Sequence, residues 1–281
     1  MSLTDAQWAR IEPLLPDRSP RRGGRWRDHR QVLDAIAFKY RTGTPWIDLP
    51  KHFGSWKGVH NRLRTWAADG TLVRVFTALL AQADAAGDLD WVVAVDSTVV
   101  RAHQHAAGAR PKGAPVGEPD DHALGRSRGG LTTKVHLAAD SRCRPLAFVL
   151  TAGQAGDAPA FESLMARIRV ARPVGRPRTT PDVVLADKAY SSRAIRDHLR
   201  RRGIRAVIPQ PATQAANRKR RGSLGGRPPA FDRESYKQRN TVERCINKLK
   251  QWRGLATRYD KTATIYLGGL HVAAIFIWSA T

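Results

Sequence analysis

Trp91-Val92-Val93-Ala94-Val95-Asp96 is an apolar, Val-rich run that ends on a carboxylate, and Val183-Val184-Leu185-Ala186-Asp187 repeats the pattern much later in the chain. Short continuous apolar runs rich in Val read as strands buried on both faces. Further runs of this kind are Thr133 to Ala138, Leu146 to Thr151 and Ala206 to Ile208. Helical patterns separate them at Ala158 to Val170 and Ser192 to Arg202, which makes the centre of the chain an α/β domain with a mixed sheet. If the two Asp-terminated strands are parallel neighbours, both carboxylates reach the same edge of the sheet, where functional groups of such folds gather. A hard divalent cation needs oxygen ligands, and two carboxylates on rigid strands offer a fixed, incompletely filled site. Each Asp taken singly is as well explained by capping the next turn; the pair is not.

A third acid stands in the segment Asp232 to Trp252, read as one helix with Asp232 as N-cap and Gly254 beyond its end. Tyr236, Arg239, Glu243 and Lys250 share one face of that helix by spacing. A surface stripe with an Arg239–Glu243 pair accounts for them as solvated residues. A tyrosine and two cations around one acid also suit a metal carboxylate with phosphate-binding neighbours.

Upstream, residues 1–87 carry helical patterns at Asp5 to Leu15, Gln31 to Arg41, Trp46 to Phe53 and Trp56 to Ala68. Val59, Leu63 and Trp66 make the apolar face of the last, with Lys57, His60, Arg62 and Arg64 mostly elsewhere. The turn Gly54-Ser55 before it allows a helix-turn-helix; Pro50 in the preceding helix counts against one, and a plain bundle with a basic face stays open.

The chain has 281 residues, 42% of them hydrophobic, enough for a sizeable core. Lys and Arg total 48 against 24 acidic residues, a net charge of +24, so a polyanion is the expected partner. No stretch is long enough to span a bilayer, Ile265 to Trp278 reads as a core helix, and no membrane partner is expected. The N-terminus shows no signal pattern, so by default the protein is expected in the cytoplasm. Cys143 and Cys245 have no zinc spacing and are expected as buried thiols. Two polar segments interrupt the α/β pattern: Gln104 to Gly130, in which Asp120, Asp121 and His122 are expected to be exposed, and Pro209 to Phe231, a flexible basic loop by composition. His103 and His105, with no Cys partner, are set aside as zinc ligands, and Asp157 is most simply a helix N-cap.

Three motifs in order resemble the transposases of bacterial insertion-sequence-5-type elements: Asp96-Ser97-Thr98-Val99-Val100-Arg101-Ala102-His103, then Ala186-Asp187-Lys188-Ala189-Tyr190-Ser191-Ser192, then Tyr236, Arg239, Glu243 and Lys250 at fixed gaps. Gly129 to His136, Gly225 to Asp232, Gln251 to Lys261, the region around Trp8 and Gly54 to Val59 match as well, so the resemblance covers nearly the whole chain. It implies a ribonuclease-H-like mixed sheet flanked by helices, with Asp96 on its first strand, Asp187 on its fourth and Glu243 on a later helix. It adds a small N-terminal all-α, helix-turn-helix-like DNA-binding domain (1–87) to a catalytic domain (88–281) with a basic insertion at about 209–231. The activity implied is binding of an element's terminal inverted repeats, DNA cleavage and strand transfer, with two Mg²⁺ or Mn²⁺ ions on Asp96, Asp187 and Glu243. Lys188, Tyr236, Arg239, Lys250, Arg253, Lys57, Arg62 and Arg64 are the implied DNA contacts. The implied partners are double-stranded DNA, as element ends and as target, and a second copy of the chain; the implied location is the bacterial nucleoid. A DNA-binding protein without catalysis, and a nuclease that hydrolyses but never joins, share the same charge.

Overall fold

A computed structural model describes residues 2–19, 26–108 and 115–280. The helices α1 (Asp5–Ile11), α2 (His29–Thr42), α3 (Trp56–Ala68) and α4 (Thr71–Ala85) come first. Strand β1 (Val92–Ala102), the short helix α5 (Gln104–Ala107) and strands β2 (Gly125–Ser127), β3 (Gly130–Ala139) and β4 (Pro145–Ala152) follow. The chain continues through α6 (Asp157–Arg167), β5 (Val183–Ala186), α7 (Arg193–Arg201), β6 (Arg205–Val207), α8 (Ala212–Arg220), α9 (Arg233–Lys237), α10 (Asn240–Lys250), α11 (Arg253–Ala256), β7 (Thr257–Arg258) and α12 (Ala263–Ser279).

The Val-rich runs form the middle of the sheet, where both faces are covered. β1 lies between β3, which runs antiparallel, and β5, which runs parallel, with β6 parallel beyond β5 and β4 antiparallel beyond β3. Counting only the five long-range strands, the spatial order is third, second, first, fourth, fifth: the ribonuclease-H-like mixed sheet flanked by helices expected from the sequence. Strand alternation divides the side chains between two faces. Thr98 and Val100 of β1, with Val135 and Leu137 of β3, meet Ile246 and Leu249 of α10 on one face. Ser97 and Lys134 point to the other, where they bond Asp157 at the start of α6.

β1 is longer than expected. The parallel pairing with β5 stops at Val95↔Ala186, but the antiparallel pairing with β3 continues to Arg101↔Thr132 and keeps β1 extended. Asp96 therefore lies within a strand instead of at its end, whereas Asp187 does follow the last residue of β5.

Four other expectations need correction. Trp46 to Phe53 forms two 3-10 turns, Trp46–Asp48 and Lys51–Phe53, because Pro50 cannot donate to a continuous helix. The basic insertion contains the helix α8 and is not simply a loop. Asp232 to Trp252 is broken: from Gln238 to Val242 the backbone bonds step back three residues instead of four, separating α9 from α10. His122 is buried, in contact with Glu118 at 2.7 Å, and Glu118 accepts from Thr264 N–H and Oγ1 at the start of α12. Asp120 and Asp121 are exposed as expected, while residues 109–114 of that polar segment lie outside the described residues. Cys143 and Cys245 are buried, free thiols, and burial pushes the Cys245 thiol up.

α12 is the core helix read from its apolar run. Its Gly268 and Gly269 let α3 and α2 come close: a Cβ on Gly269 would lie 2.5 Å from the Tyr40 ring, and one on Gly268 2.9 Å from Ala67. Through this helix the N-terminal helices and the sheet share one continuous apolar core. No helix among the described residues is long and apolar enough to cross a membrane.

Candidate active site

Asp96 and Asp187 stand one residue beyond the last paired position of two neighbouring parallel strands, so backbone register alone sets them side by side. The Asp96 carboxylate accepts from the Ser97 N–H at 2.8 Å and from Arg239 at 3.0 Å. Burial pushes its pKa up, the Ser97 N–H and Arg239 only partly oppose that, and the charge of Asp187 pushes the same way. Asp187 caps its own turn by accepting from Ala189 N–H at 2.8 Å, so the capping role and the place at the sheet edge coexist in one residue.

Glu243 comes from the first turn of α10, and Arg239 from the break just before it. The guanidinium of Arg239 bridges the two elements, bonding Asp96 with one nitrogen and Glu243 with another. Burial pulls the Arg239 pKa down, but the charges of Glu243 and Asp96 outweigh it and hold the group above its ordinary value. The third acid thus reaches the strand pair through a cation. Among the described residues no three acids, His or Cys stand close enough together to hold a metal ion as they are. The donors are nevertheless all carboxylate oxygens, as a hard divalent ion requires, and the positive charge between them occupies the place where such an ion would compensate the same acids.

A second tier lies beneath Asp96, which the sequence reading did not identify. Asp157 is not the N-cap of α6, a place held by Gly156; it is the first helical residue, and its Oδ1 accepts from Ser97 Oγ at 2.7 Å and Lys134 Nζ at 2.9 Å. Burial pushes its carboxyl up, but those two donors outweigh it and hold it below the usual range. Tyr190 is buried, and Asp157, Asp96 and Asp187 all bear on its hydroxyl; burial first, then those charges, push its pKa up against a hydrogen bond with Ser97. The one sequence signal for Ser97 and Tyr190 is their nearness to Asp96 and Asp187 in the motifs.

The remaining sequence candidates scatter. Lys188 is exposed beside Asp187, and Lys250 is exposed at the far end of α10. Tyr236 lies against Phe231 at 5.2 Å, with Arg239 over its ring at 5.9 Å. Arg253 is exposed on α11, next to Gly43 at the end of α2. On α3, Lys57 and Arg64 are exposed, whereas Arg62 stacks on Trp26 at 3.7 Å and reaches His29 Nδ1 at 3.4 Å, tying the helical part together. His103 and His105 lie at α5, where His103 Nδ1 caps the turn by accepting from the His105 N–H and its ring lies 4.7 Å from Tyr259.

Comparison with known proteins finds transposases. A family described as "Transposase DDE domain" matches residues 87–276, and one described as "Putative transposase of IS4/5 family" matches residues 3–76. A putative transposase for insertion sequence element IS6501 of Brucella ovis is 33% identical over 153 residues, covering 53% of this chain and 98% of the relative. A putative transposase for insertion sequence element IS402 of Burkholderia cepacia is 34% identical over 158 residues, covering 56% of this chain and 64% of the relative. A solved Mos1 transposase paired-end complex is similar at 14% identity over 91% of this chain and 86% of that one, with a TM-score of 0.28. With the DDE-domain match running over more than half of its length, this chain belongs to the family of DDE-domain transposases.

Proposed function

We propose that this DNA transposase cuts and joins strands with divalent metal ions held by Asp96, Asp187 and Glu243. Membership in the family implies dependence on a divalent metal. The finer assignment is to two ions, Mg²⁺ or Mn²⁺. The observation that carries it is the register that sets Asp96 beside Asp187, joined to Glu243 by a single guanidinium. When bound, such ions would supply Lewis-acid activation of the attacking oxygen and charge stabilisation of the departing one.

The protein's own residues have separable tasks. Asp157 holds Ser97, and with it the strand on which Asp96 sits, in one rotameric and backbone setting. Arg239 neutralises Asp96 and Glu243 here; with those carboxylates engaged by metal, its guanidinium would be available to donate to the phosphate under attack. Lys188 and Lys250 add positive charge for the strand on either side. Arg193, Arg196, Arg200, Arg218 and Arg227 line a cleft of about 480 Å³ between α7 and α8, a basic track for the phosphate backbone.

Residues 1–87 are assigned to the element ends and 88–281 to catalysis. On α3 the buried face is Val59, Leu63 and Trp66, and Lys57, Asn61, Arg64 and Thr65 face outward, the pattern of a helix offered to a groove. Pairing two DNA ends requires at least two copies of the chain.

The test is cleavage and joining on a labelled duplex carrying the element end, with Mg²⁺, for wild type and for Asp96→Asn, Asp187→Asn and Glu243→Gln. A freed 3′-hydroxyl and joined product from the wild type, with both lost in each variant, is the expected result. Full activity in any variant removes that residue from the site.

A further inference from the structure

A cleft of about 870 Å³ opens between the N-terminal helices and the segment that follows β7, lined by Trp46, His60, Arg64, Tyr259, Asp260 and Lys261 among others. Its walls are aromatic: Trp46 meets His60 edge-on at 5.2 Å, and the exposed Tyr259 stands against His103 at 4.7 Å. Behind them lies Lys39, only 3% exposed, whose ammonium sits 4.4 Å from the Tyr40 ring, 5.4 Å from Trp46 and 5.9 Å from Tyr259. Among the described residues it makes neither an ion pair nor a hydrogen bond. An ammonium that meets only ring faces keeps its donors for an anion that arrives there. Arg64 and Lys261 add two more cations to the lining. Asp260 is an acceptor: one oxygen takes the Tyr40 hydroxyl at 3.0 Å.

We propose that this cleft binds an unpaired nucleotide of a DNA strand. The base stacks between Trp46 and Tyr259, its amino edge donates to Asp260, and its phosphate is neutralised by Lys39, Arg64 and Lys261. Aromatic faces interleaved with cations are the chemistry that holds single-stranded nucleic acid, because every base has a π-face and every nucleotide a phosphate. Burial foremost, with Arg64 and Lys39 adding to it against Asp260, lowers the His60 pKa, so that ring serves as a neutral wall at pH 7. The cleft is separate from the acids: it adjoins the C-terminal end of β1, where Ala102 pairs with Arg258, whereas Asp96 lies near the middle of that strand. The site rests on DNA being the substrate but not on the metal chemistry.

The test is equilibrium binding, without metal, of a short single-stranded deoxycytidine oligonucleotide and of a duplex, with melting temperature measured alongside. Tyr259→Leu weakens the single strand by about 5- to 150-fold, from the ~1–3 kcal/mol that a stacked base contributes, and Tyr259→Phe restores it. Duplex affinity stays unchanged in both. Lys39→Met weakens the single strand and lowers its salt dependence by about 0.7 of a counterion; an unchanged salt dependence would take Lys39 out of the site. Unchanged single-strand affinity in Tyr259→Leu, or an equal loss on duplex, overturns the proposal. Because Tyr259 is exposed, its truncation leaves the fold intact and that arm always reads out. A wild type that binds the single strand but never cuts a duplex sinks the metal mechanism and leaves this site standing.

Discussion

At the scale of single residues, Arg239 decides the state of the site. Its guanidinium satisfies Asp96 and Glu243 together, so in the proposed metal site a divalent ion would have to displace it before those carboxylates could act as ligands. Replacing it with Gln removes the competitor, and Arg239→Gln is expected to bind Mn²⁺ about tenfold more tightly, roughly 1.4 kcal/mol, while joining DNA more slowly because phosphate loses its donor. Titration calorimetry reads the first effect and a joining assay the second; weaker Mn²⁺ binding would contradict the competition. Of the three proposed acids, Asp96 and Asp187 were legible in the sequence because each ends an apolar run, and Glu243 because it shares one helix face by spacing with Tyr236, Arg239 and Lys250. Asp157 was not recognised as part of the site, because a carboxylate at the start of a helix looks the same whether it caps the backbone or holds Ser97 across the sheet. Asp157→Asn keeps the shape and weakens the acceptor. It is expected to slow cleavage about tenfold with little change in DNA affinity, and an equal loss in both would make it a folding residue only.

At the scale of elements, α12 shows why an apolar run could be assigned to the core from sequence while its partners could not. Fourteen of its residues are buried, so no amphipathic stripe marks which neighbour lies on which side. The glycines do: Gly269 faces Tyr40 of α2 and Gly268 faces Ala67 and Leu63 of α3. Gly269→Ala forces a methyl group into the Tyr40 ring and is expected to cost about 1–3 kcal/mol. A urea midpoint unchanged from wild type would contradict this packing. The break between α9 and α10 was likewise invisible, since the spacing of Tyr236, Arg239 and Glu243 suits an unbroken helix, and it shows only in backbone bonds that step back three residues from Gln238 to Val242.

At the scale of the whole molecule, buried histidines set the acid limit. His136, beside Thr151 on the α6 face of the sheet, and His271, between Phe76 and Phe148, have pKa values lowered by burial to about 4. In the unfolded chain each titrates near 6.5. Between those values the unfolded chain binds the extra protons, so stability is complete above about pH 6.5 and falls as pH drops toward 4, by about 1.4 kcal/mol per unit for each group. His271→Gln is expected to flatten that slope in a pH series of thermal melts, and an unchanged slope would show that His271 is protonated in the fold. The net charge of +24 was readable at once and predicts DNA binding that weakens steeply with salt. Where that charge meets the chemistry depends on residues far apart in sequence converging at one edge of the sheet. Iron-directed cleavage tests that convergence most directly: Fe²⁺ replaces Mg²⁺, and ascorbate with peroxide generates radicals that cut the backbone around the bound ion. The predicted result is a set of cuts close to Asp96, Asp187 and Glu243, suppressed by Mg²⁺ and lost in Asp96→Asn. Cuts confined to other segments, or the same cuts persisting in that variant, would contradict a metal site built from these three acids.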